Sequence, residues 1–283
     1  EADLKDERKI NFAIKKYKIN AVIHMAAYVS VEESMKNPKK YFTNNVNCSI
    51  NLLNAMKNNK IKFIVFSSTS IVYGTKAKMP LTEKSKTKAE NPYAETKLIF
   101  ENMLKKADKS GIRSISLRYF NAAGADPSGN IGEDHHPETH LIPNVLKVAL
   151  GKNGHINVYG TDYKTKNGTA VRDYIHVCDL ADAHILAMEA LSKGHKTDIY
   201  NLGNERGYSV LDIIKVSENV TDKNIPIKII GRRAGDIPIA ISNSKKIKKE
   251  LGWKPKYNNI KTIIETAWNW HKRHPEGYNV KKE

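Results

Sequence analysis

The stretch Ile61–Lys97 decides the fold of this chain; it reads IKFIVFSSTSIVYG at 61–74 and NPYAETK at 91–97. Its first residues form a short apolar run, rich in β-branched and aromatic side chains, which predicts a buried strand of a parallel sheet. The run ends in four hydroxyl side chains at positions 67–70. Ligands of open α/β sheets bind just beyond the carboxyl ends of the strands. We therefore expect these hydroxyls at a functional site.

A helix that begins at Pro92 follows this strand, because proline is well tolerated at the first helical position. Tyr93 and Lys97 are four residues apart and so share one face of the helix. A free tyrosine has a pKa of about 10, and a nearby ammonium group lowers it by favouring the phenolate. The pair therefore predicts a base that takes a proton from an alcohol, with Thr69 bonding the same hydroxyl and relaying its proton.

The Tyr-x-x-x-Lys pattern occurs three times, starting at Tyr93, Tyr257 and Tyr278. Most such pairs are merely neighbours on a helix surface. The first pair alone follows a strand that ends in hydroxyls, so we assign the catalytic role to Thr69, Tyr93 and Lys97. This combination resembles the active site of the short-chain dehydrogenase/reductase superfamily.

Strands and helices alternate through the rest of the chain, which predicts an α/β fold: a Rossmann-type doubly wound parallel sheet with a smaller mixed α/β substrate domain. We place a NAD-binding domain at residues 1–120 and a domain mainly for the substrate at 121–283, with segments near 172–204 returning to the main sheet. Helices are expected at 4–18 and 38–57. The glycine-rich turn of such folds does not occur in the sequence, so we expect an N-terminally truncated sheet that lacks its first βα units.

Composition excludes several functional classes. The 283 residues carry a net charge of +17, but the lysines are scattered and form no basic stripe with aromatic residues, so we expect no nucleic-acid partner. No apolar run approaches the length of about 18 residues that suggests a membrane span, and no signal peptide is visible. The two cysteines lack metal-ligand spacing, which is typical of a reduced, cytoplasmic setting.

Polar and small residues at strand ends indicate where ligands bind. Met25, Ala26 and Ala27 follow a predicted strand and leave room for a dinucleotide, and Asn44 is expected to be buried and to face that ligand. Asn121 follows another strand. Two separate arginine sites, at Arg172 and in the turn 231–236, favour a diphosphate ligand, because the guanidinium group binds phosphate in a bidentate manner.

The loop 126–140 is polar and rich in turn residues, which is typical of a lid or a specificity loop. It contains His135, His136 and His140. We expect no metal site there, because these histidines lack a second carboxylate or cysteine cluster at ligand spacing.

Many short motifs occur in an order and spacing that resembles the UDP-glucose 4-epimerase family of extended short-chain dehydrogenases/reductases over essentially all of the chain. They include VIHMAA, ESMKNP, FSSTSIVYG, NPYAETK, LRYFNAAGADPSG, IGEDHHPETHLIP, VRDYIHVCDLADAH, YNLG, RRAGD and LGW. Any one of these motifs alone would be weak evidence, whereas together they are specific.

The resemblance implies an NAD-dependent isomerase of galactose metabolism that interconverts UDP-galactose and UDP-glucose. The sugar would be oxidised at C4, the 4-keto intermediate would turn about its link to the diphosphate, and the hydride would return to the other face. Tyr93 would be the base at the 4-hydroxyl, while Lys97 would bind the nicotinamide ribose and tune Tyr93. The implied cofactor-binding residues are Asp3, Leu4, Met25, Ala26, Ala27, Asn44, Ser67, Tyr93, Lys97 and Phe120. The implied substrate-binding residues are Thr69, Asn121, His140, Leu141, Tyr159, Arg172, Arg233, Asp236 and Ala240.

Two residues depart from the family pattern, one at the expected cofactor site and one at the expected substrate site. Val29 stands where many epimerases have a lysine that reaches the cofactor. Ala240 stands where epimerases restricted to unacetylated sugars have a bulky tyrosine, so we expect UDP-N-acetylglucosamine and UDP-N-acetylgalactosamine as further substrates. The family also implies a homodimer formed through the helix that carries Tyr93 and its neighbour.

Two alternatives stay open at this point. A nucleotide-sugar 4,6-dehydratase has the same fold, but that family places Asp-Glu directly after the threonine, whereas Ser70 and Ile71 follow Thr69 here. An inactive fragment that only binds nucleotides is the other alternative, and the missing glycine turn favours it. The intact Thr69, Tyr93 and Lys97 argue against it.

Overall fold

The computed structural model describes residues 2–233 and 235–278. Its α-helices are α1 (Glu7–Lys16), α2 (Val31–Lys36), α3 (Pro38–Tyr41), α4 (Cys48–Asn58), α5 (Pro92–Ala107), α6 (Leu141–Ala149), α7 (Val177–Ser192), α8 (Val210–Thr221), α9 (Lys245–Leu251) and α10 (Ile260–Arg273). The strands are β1 (Ala21–His24), β2 (Phe63–Thr69), β3 (Arg113–Tyr119), β4 (Asn121–Ala123), β5 (Ile156–Tyr159), β6 (Val171–His176), β7 (Asp198–Leu202), β8 (Gly207–Ser209), β9 (Ile227–Ile230) and β10 (Ile239–Ala240). Within the described residues, no helix combines the length and the apolarity needed to cross a bilayer.

The main sheet consists of four parallel strands in the order β1-β2-β3-β7. Successive residues of β2 face opposite sides, so Ile64 and Phe66 pack with α1, α4 and α5, while Val65 packs with α7. The buried Trp253, which follows α9, lies in the second of these clusters. Helices therefore cover both faces of a parallel sheet, and the predicted α/β, Rossmann-type doubly wound architecture is confirmed.

A second, mixed sheet is built around β6, which pairs in parallel with β10 and β4 and antiparallel with β8. Helices α6, α8 and α10 supply most of the core that packs near it. The two sheets join at Phe120, which links β3 to β4 and donates its backbone N–H to the Leu202 carbonyl of β7 at 3.1 Å. The pair β5 and β9 forms a separate parallel ribbon.

The segment 172–204 is divided between the sheets. Strand β7 and helix α7 belong to the main sheet and its core, as predicted. Strand β6, which contains residues 172–176, lies in the second sheet. The division into two domains at residue 120 stays a prediction.

Local capping and helix winding explain two differences from the predicted helices. Helix α1 begins at Glu7 and not at Leu4, because the Asp6 carboxylate accepts hydrogen bonds from the backbone N–H groups of Arg8 and Lys9 and so caps the helix there. The predicted helix 38–57 contains a π-helical stretch at Phe42–Asn47 between α3 and α4. Such stretches are rare and occur often at functional sites.

Candidate active site

The proposed catalytic residues lie on two rigid elements. Thr69 is the last residue of β2, beside Tyr119 at the end of β3. Asn91 caps α5, its side-chain oxygen accepting the Ala94 N–H at 2.9 Å, and this cap fixes the turn that carries Tyr93. Thr69, Tyr93 and Lys97 are all less than 10% exposed. Helix and strand therefore hold the hydroxyl, the phenol and the ammonium group in a buried environment.

Burial dominates the electrostatics of this group. It raises the pKa of the Tyr93 phenol, while a hydrogen bond with Thr69 acts in the opposite direction. Lys97 donates to the Ser67 carbonyl at 2.8 Å, and its ammonium nitrogen lies 5.9 Å from the centre of the Tyr93 ring. Burial also lowers the pKa of Lys97 to about 8. In the chain itself, desolvation thus raises the pKa of Tyr93, whereas the sequence led us to expect that Lys97 lowers it.

A buried ion pair behind the catalytic group was not predicted from the sequence. Glu101 of α5 accepts bonds from Arg118 of β3 at 2.9 and 2.5 Å and from the Ser68 hydroxyl at 2.5 Å. Arg118 also lies over the ring of Tyr73, whose hydroxyl donates to Asn201 of β7 at 2.6 Å. This network ties α5 to β2, β3 and β7, and therefore fixes the position of the catalytic helix on the sheet.

The predicted cofactor residues divide into two groups. Ser67 and Phe120 are buried beside the catalytic residues. Asp3 is exposed, the Leu4 carbonyl accepts the Asn51 amide of α4 at 3.0 Å, and Met25, Ala26 and Ala27 follow the end of β1. A cleft of about 270 Å³ lies on this side and is lined by Lys5, Tyr28, Asn37, Lys39, Lys40, Thr43 and Asn44. Its three lysines suit an anionic ligand such as a dinucleotide.

The prediction that Asn44 is a buried, ligand-facing residue is wrong in one respect: its neighbour Asn45 is the buried asparagine, and Asn44 is half-buried at the cleft. The Asn45 side chain accepts the Tyr28 N–H at 2.8 Å and donates to the Tyr28 carbonyl and to the Thr96 hydroxyl of α5. Asn45 thus fixes the loop after β1 against the catalytic helix and leaves Asn44 available to a ligand.

The predicted substrate residues on the second sheet cluster around two arginines. The Arg233 guanidinium lies 3.6 Å from the centre of the Tyr159 ring, a stacked cation–π arrangement. Arg172 donates to the carbonyls of Val171 and Ile237 and forms an ion pair with Asp236 at 3.4 Å. Asn121 begins β4 opposite Tyr174 of β6 and is exposed. One guanidinium group thus lies on the second sheet beside Asp236, and the other lies over an aromatic ring at the end of the β5–β9 ribbon.

Ala240 connects the two sides of the site. It pairs with Arg172 in the second sheet and packs in a buried cluster with Val72, Tyr73, Leu81 and Phe120. Leu81 also donates its N–H to the Ile241 carbonyl and accepts the Asn243 N–H, at 2.9 and 2.8 Å. The segment after β2 is therefore tied to β10, next to the residues that follow β3.

The contacts of His140 are with carboxylates of its own loop. His140 immediately precedes α6, where Leu141 is the first helical residue, and its ring hydrogen-bonds Glu133. Glu133, His135, Glu138 and His140 bring one ligand atom each to within 4.8 Å of one another. The expectation of no metal stays a prediction, and the structure adds that the loop folds two carboxylates onto two histidines. Contacts with Glu133 and Glu138 raise the pKa of His135 to about 10.

Comparisons with known proteins agree with this geometry. The profile of the NAD dependent epimerase/dehydratase family matches residues 1–203. A UDP-glucose 4-epimerase of Lactobacillus helveticus is 48% identical over 282 residues, which are 99% of this chain and 86% of that protein. A crystal structure of a UDP-glucose 4-epimerase superposes with a TM-score of 0.96 at 46% identity, over 99% of this chain and 85% of that one. The structure of the Bifidobacterium longum UDP-glucose 4-epimerase in complex with NAD+ and UDP has a TM-score of 0.92 at 39% identity, over 98% and 84% of the two chains.

A doubly wound parallel sheet with a threonine, tyrosine and lysine beyond its strand ends defines an NAD-dependent enzyme of the short-chain dehydrogenase/reductase type. The chain belongs to the NAD dependent epimerase/dehydratase family. The predicted preceding βα units stay a prediction.

Proposed function

We propose that this protein is an isomerase that interconverts UDP-galactose and UDP-glucose through oxidation and re-reduction at C4. The observation that carries this proposal is that one chain holds two sets of residues. Thr69, Tyr93 and Lys97 are buried together, and Arg172 and Arg233 offer guanidinium groups that suit a diphosphate. The similarity to UDP-glucose 4-epimerases over nearly the whole chain supports the same activity.

The residues of this chain divide the work between chemistry and binding. NAD, when bound, supplies the hydride acceptor and donor. Tyr93 takes the proton of the 4-hydroxyl and later returns it, and Thr69 bonds the same oxygen and relays the proton. Lys97 stays in place through the Ser67 carbonyl and has further N–H groups for the nicotinamide ribose. Ser67, Phe120 and Asn44 line the proposed NAD side, with Asp3, Leu4, Met25, Ala26 and Ala27 at its other end.

The substrate side holds the nucleotide and leaves the hexose free to turn. Tyr159 and Arg233 offer an aromatic face and a guanidinium group, and Arg172 with Asp236 offers a second cation and a carboxylate. Asn121, Leu141 and His140 complete the proposed set. Holding the UDP part tightly lets the 4-keto sugar present either face without leaving the site.

Conversion of UDP-galactose to UDP-glucose by the purified chain, with NAD supplied, tests this proposal. We expect turnover that depends on NAD and on Tyr93. Binding of UDP without any turnover would instead support a protein that only binds nucleotides. Release of water from the sugar, detected as a 4-keto-6-deoxy product, would support a dehydratase.

We further propose that the N-acetylated sugars UDP-N-acetylglucosamine and UDP-N-acetylgalactosamine are substrates. Ala240 supports this, because it packs in a buried cluster with Phe120 and Tyr73, where a tyrosine side chain would take up much more room than a methyl group. We expect comparable kcat/KM values for acetylated and unacetylated sugars, and a loss of at least about tenfold for the acetylated sugar alone in Ala240→Tyr. Melting temperatures of both proteins would separate a filled pocket from a damaged fold. No turnover of the N-acetyl sugar by the unaltered enzyme would contradict the proposal.

We also propose that the enzyme acts in the cytoplasm as a homodimer through α5 and its neighbour α4. The half-buried Ile99 on α5 supports the dimer, and the free cysteines Cys48 and Cys178 support the cytoplasm. Light scattering of the purified chain measures the mass directly, and a monomer at micromolar concentration would contradict the dimer.

A further inference from the structure

Four side chains outside the catalytic group converge in the loop that leads to α6. The Nδ1 atoms of His135 and His140 both approach Oε1 of Glu133, the first at 3.0 Å and the second in a short hydrogen bond. Glu138 lies on the other side, with its oxygens 3.8 Å from Nδ1 of His135 and 3.9 Å from Nδ1 of His140. Two ring nitrogens and two carboxylates therefore surround one point in space.

These separations match the edges of a metal coordination shell. Zinc binds histidine nitrogen at about 2.0–2.1 Å and carboxylate oxygen at about 2.0–2.2 Å with tetrahedral geometry, so its ligand atoms lie roughly 3.3–3.6 Å apart. Three of the four histidine–carboxylate distances, 3.0, 3.8 and 3.9 Å, lie around this range, and the fourth, between His140 and Glu133, is a shorter hydrogen bond that a bound metal would replace. Imidazole together with carboxylate is a donor set that zinc accepts and that magnesium and calcium do not prefer.

The charge of the cluster also calls for a cation. The side chains of Glu133 and Glu138 are only 15% and 3% exposed. Among the described residues, no lysine or arginine lies within salt-bridge distance of either carboxylate, and their ion-pair partners are the two histidines. The double positive charge of a divalent metal would neutralise the two carboxylates, and the imidazoles would bind the metal in their neutral form.

Surrounding contacts hold the ligands in place. Oε1 of Glu138 accepts the backbone N–H groups of Thr139 and His140, both at 2.7 Å, and so directs its carboxylate toward the cluster. The indole N–H of Trp270, on α10, donates to the Glu133 carbonyl at 3.1 Å. Such outer contacts orient ligands in established metal sites.

We propose that Glu133, His135, Glu138 and His140 bind one zinc ion, which fastens the loop 133–140 to the start of α6. The inference does not rest on the proposed epimerase activity, because the four ligands stand apart from Thr69, Tyr93 and Lys97. It does imply that the metal sets the position of His140 and Leu141, two of the proposed substrate residues.

Zinc titration of the full chain after removal of metals by a chelator tests the site. We expect one zinc per chain, with X-ray absorption showing two imidazoles and two oxygen ligands at about 2.0–2.2 Å. Cobalt in place of zinc should give the visible absorption of a tetrahedral site. We also expect zinc to raise the melting temperature of the unaltered chain.

Variants of the cluster residues, compared with a control variant outside the cluster, test whether these four side chains bind the zinc. Glu138→Gln keeps an oxygen for the two backbone N–H groups but removes the charge, and His135→Asn removes a ring nitrogen; each should weaken zinc binding by at least about 100-fold. His136→Asn is the control, because its ring is 81% exposed and faces Asp134 outside the cluster. Circular dichroism confirms that each variant folds.

Three outcomes would overturn the proposal. The first is an unaltered chain that binds no zinc at micromolar concentration, which would show that protonated histidines alone balance the carboxylates. The second is binding that Glu138→Gln and His135→Asn leave intact, which would place the metal elsewhere. The third is an equal loss in His136→Asn.

Discussion

The proposed catalytic region, which is buried, and the proposed nucleotide side, which is exposed, are built differently. Tyr93 and Lys97 project from a capped helix that an internal ion pair fixes to the sheet, and both are less than 10% exposed. Arg233 and Asp236 lie outside the regular elements and are exposed. The cations of the two regions show the contrast: Lys97 is held by a backbone carbonyl, whereas Arg233 rests on an aromatic ring.

The difference shows which interactions fix the geometry of the proposed catalytic groups and which contribute to the binding of a ligand. Groups that move protons need fixed geometry, and packing on helices and strands provides it before any ligand arrives. Exposed cations contribute little by themselves, since water screens them, and they gain strength only when a bound phosphate is desolvated between them. We therefore expect changes in the catalytic region to affect rate and stability, and changes on the nucleotide side to affect affinity.

Tyr93→Phe gives the largest expected effect. Loss of the phenolic hydroxyl removes the proton acceptor, and kcat should fall by about 10²–10⁴-fold while the ring still fills its buried site. Steady-state kinetics measure the loss. Tyr257→Phe is the control, because Tyr257 begins the same Tyr-x-x-x-Lys pattern and its ring stacks on His176. A Tyr93→Phe enzyme that keeps most of its activity would contradict the assignment of Tyr93 as the proton acceptor.

Glu101→Gln should destabilise the catalytic region. It leaves the buried Arg118 without its carboxylate, and the free energy of unfolding should drop by about 3–5 kcal/mol. Urea denaturation measures this drop. Glu265→Gln, which breaks the exposed pair with Lys261, should change it by less than about 1 kcal/mol. Equal decreases in the free energy of unfolding of the two variants would contradict the expected difference between a buried and an exposed ion pair.

Arg233→Gln should raise KM for the UDP-sugar by about 10–100-fold and leave kcat nearly unchanged, because a charge-assisted contact contributes about 1.5–3 kcal/mol to binding alone. Arg232→Gln is a matched control, since that neighbouring arginine pairs with Asp162 at 2.7 Å. A large fall in kcat with KM unchanged would show that Arg233 acts on the chemical step.

The pH dependence of kcat/KM is the smallest of the expected effects, and it tests the charge of Lys97 directly. Burial lowers the pKa of Lys97 to about 8, so the free enzyme loses this positive charge as the pH rises through that value. If the ammonium form is the active one, kcat/KM should decrease by about tenfold per pH unit above pH 8. Arg233→Gln should keep the same profile at a lower level. A profile that is flat up to pH 10 would show that the charge of Lys97 is not needed.

The sequence was sufficient for the parts of the fold that local pattern determines. The apolar run of β2, the hydroxyls at its end and the Asn91–Pro92 start of α5 are all encoded within a few residues. The spacing of Tyr93 and Lys97 placed both on one helix face. These features led to the correct fold class and to a site that the structure brings together.

Features that depend on tertiary contacts could not be predicted. Glu101, Arg118 and Ser68 lie on three elements, and nothing in the sequence of any one of them indicates the other two. Asn45 and not Asn44 is the buried asparagine, because Asn45 bonds the backbone of Tyr28 and the hydroxyl of Thr96, and these partners are distant in the sequence. Glu133 and Glu138 reach the histidines only because the loop turns back on itself, and spacing along the chain does not show this.

The backbone bonds between Leu81 and residues 241–243 have a consequence for synthesis of the protein on the ribosome. The proposed catalytic residues emerge early, but Leu81 lacks its backbone partners Ile241 and Asn243 until β10 has been translated. Until then the apolar side chains of Tyr73, Leu81 and Phe120 remain uncovered by Ala240. We expect the nascent chain to depend on chaperones over this interval and to gain activity only near the end of translation.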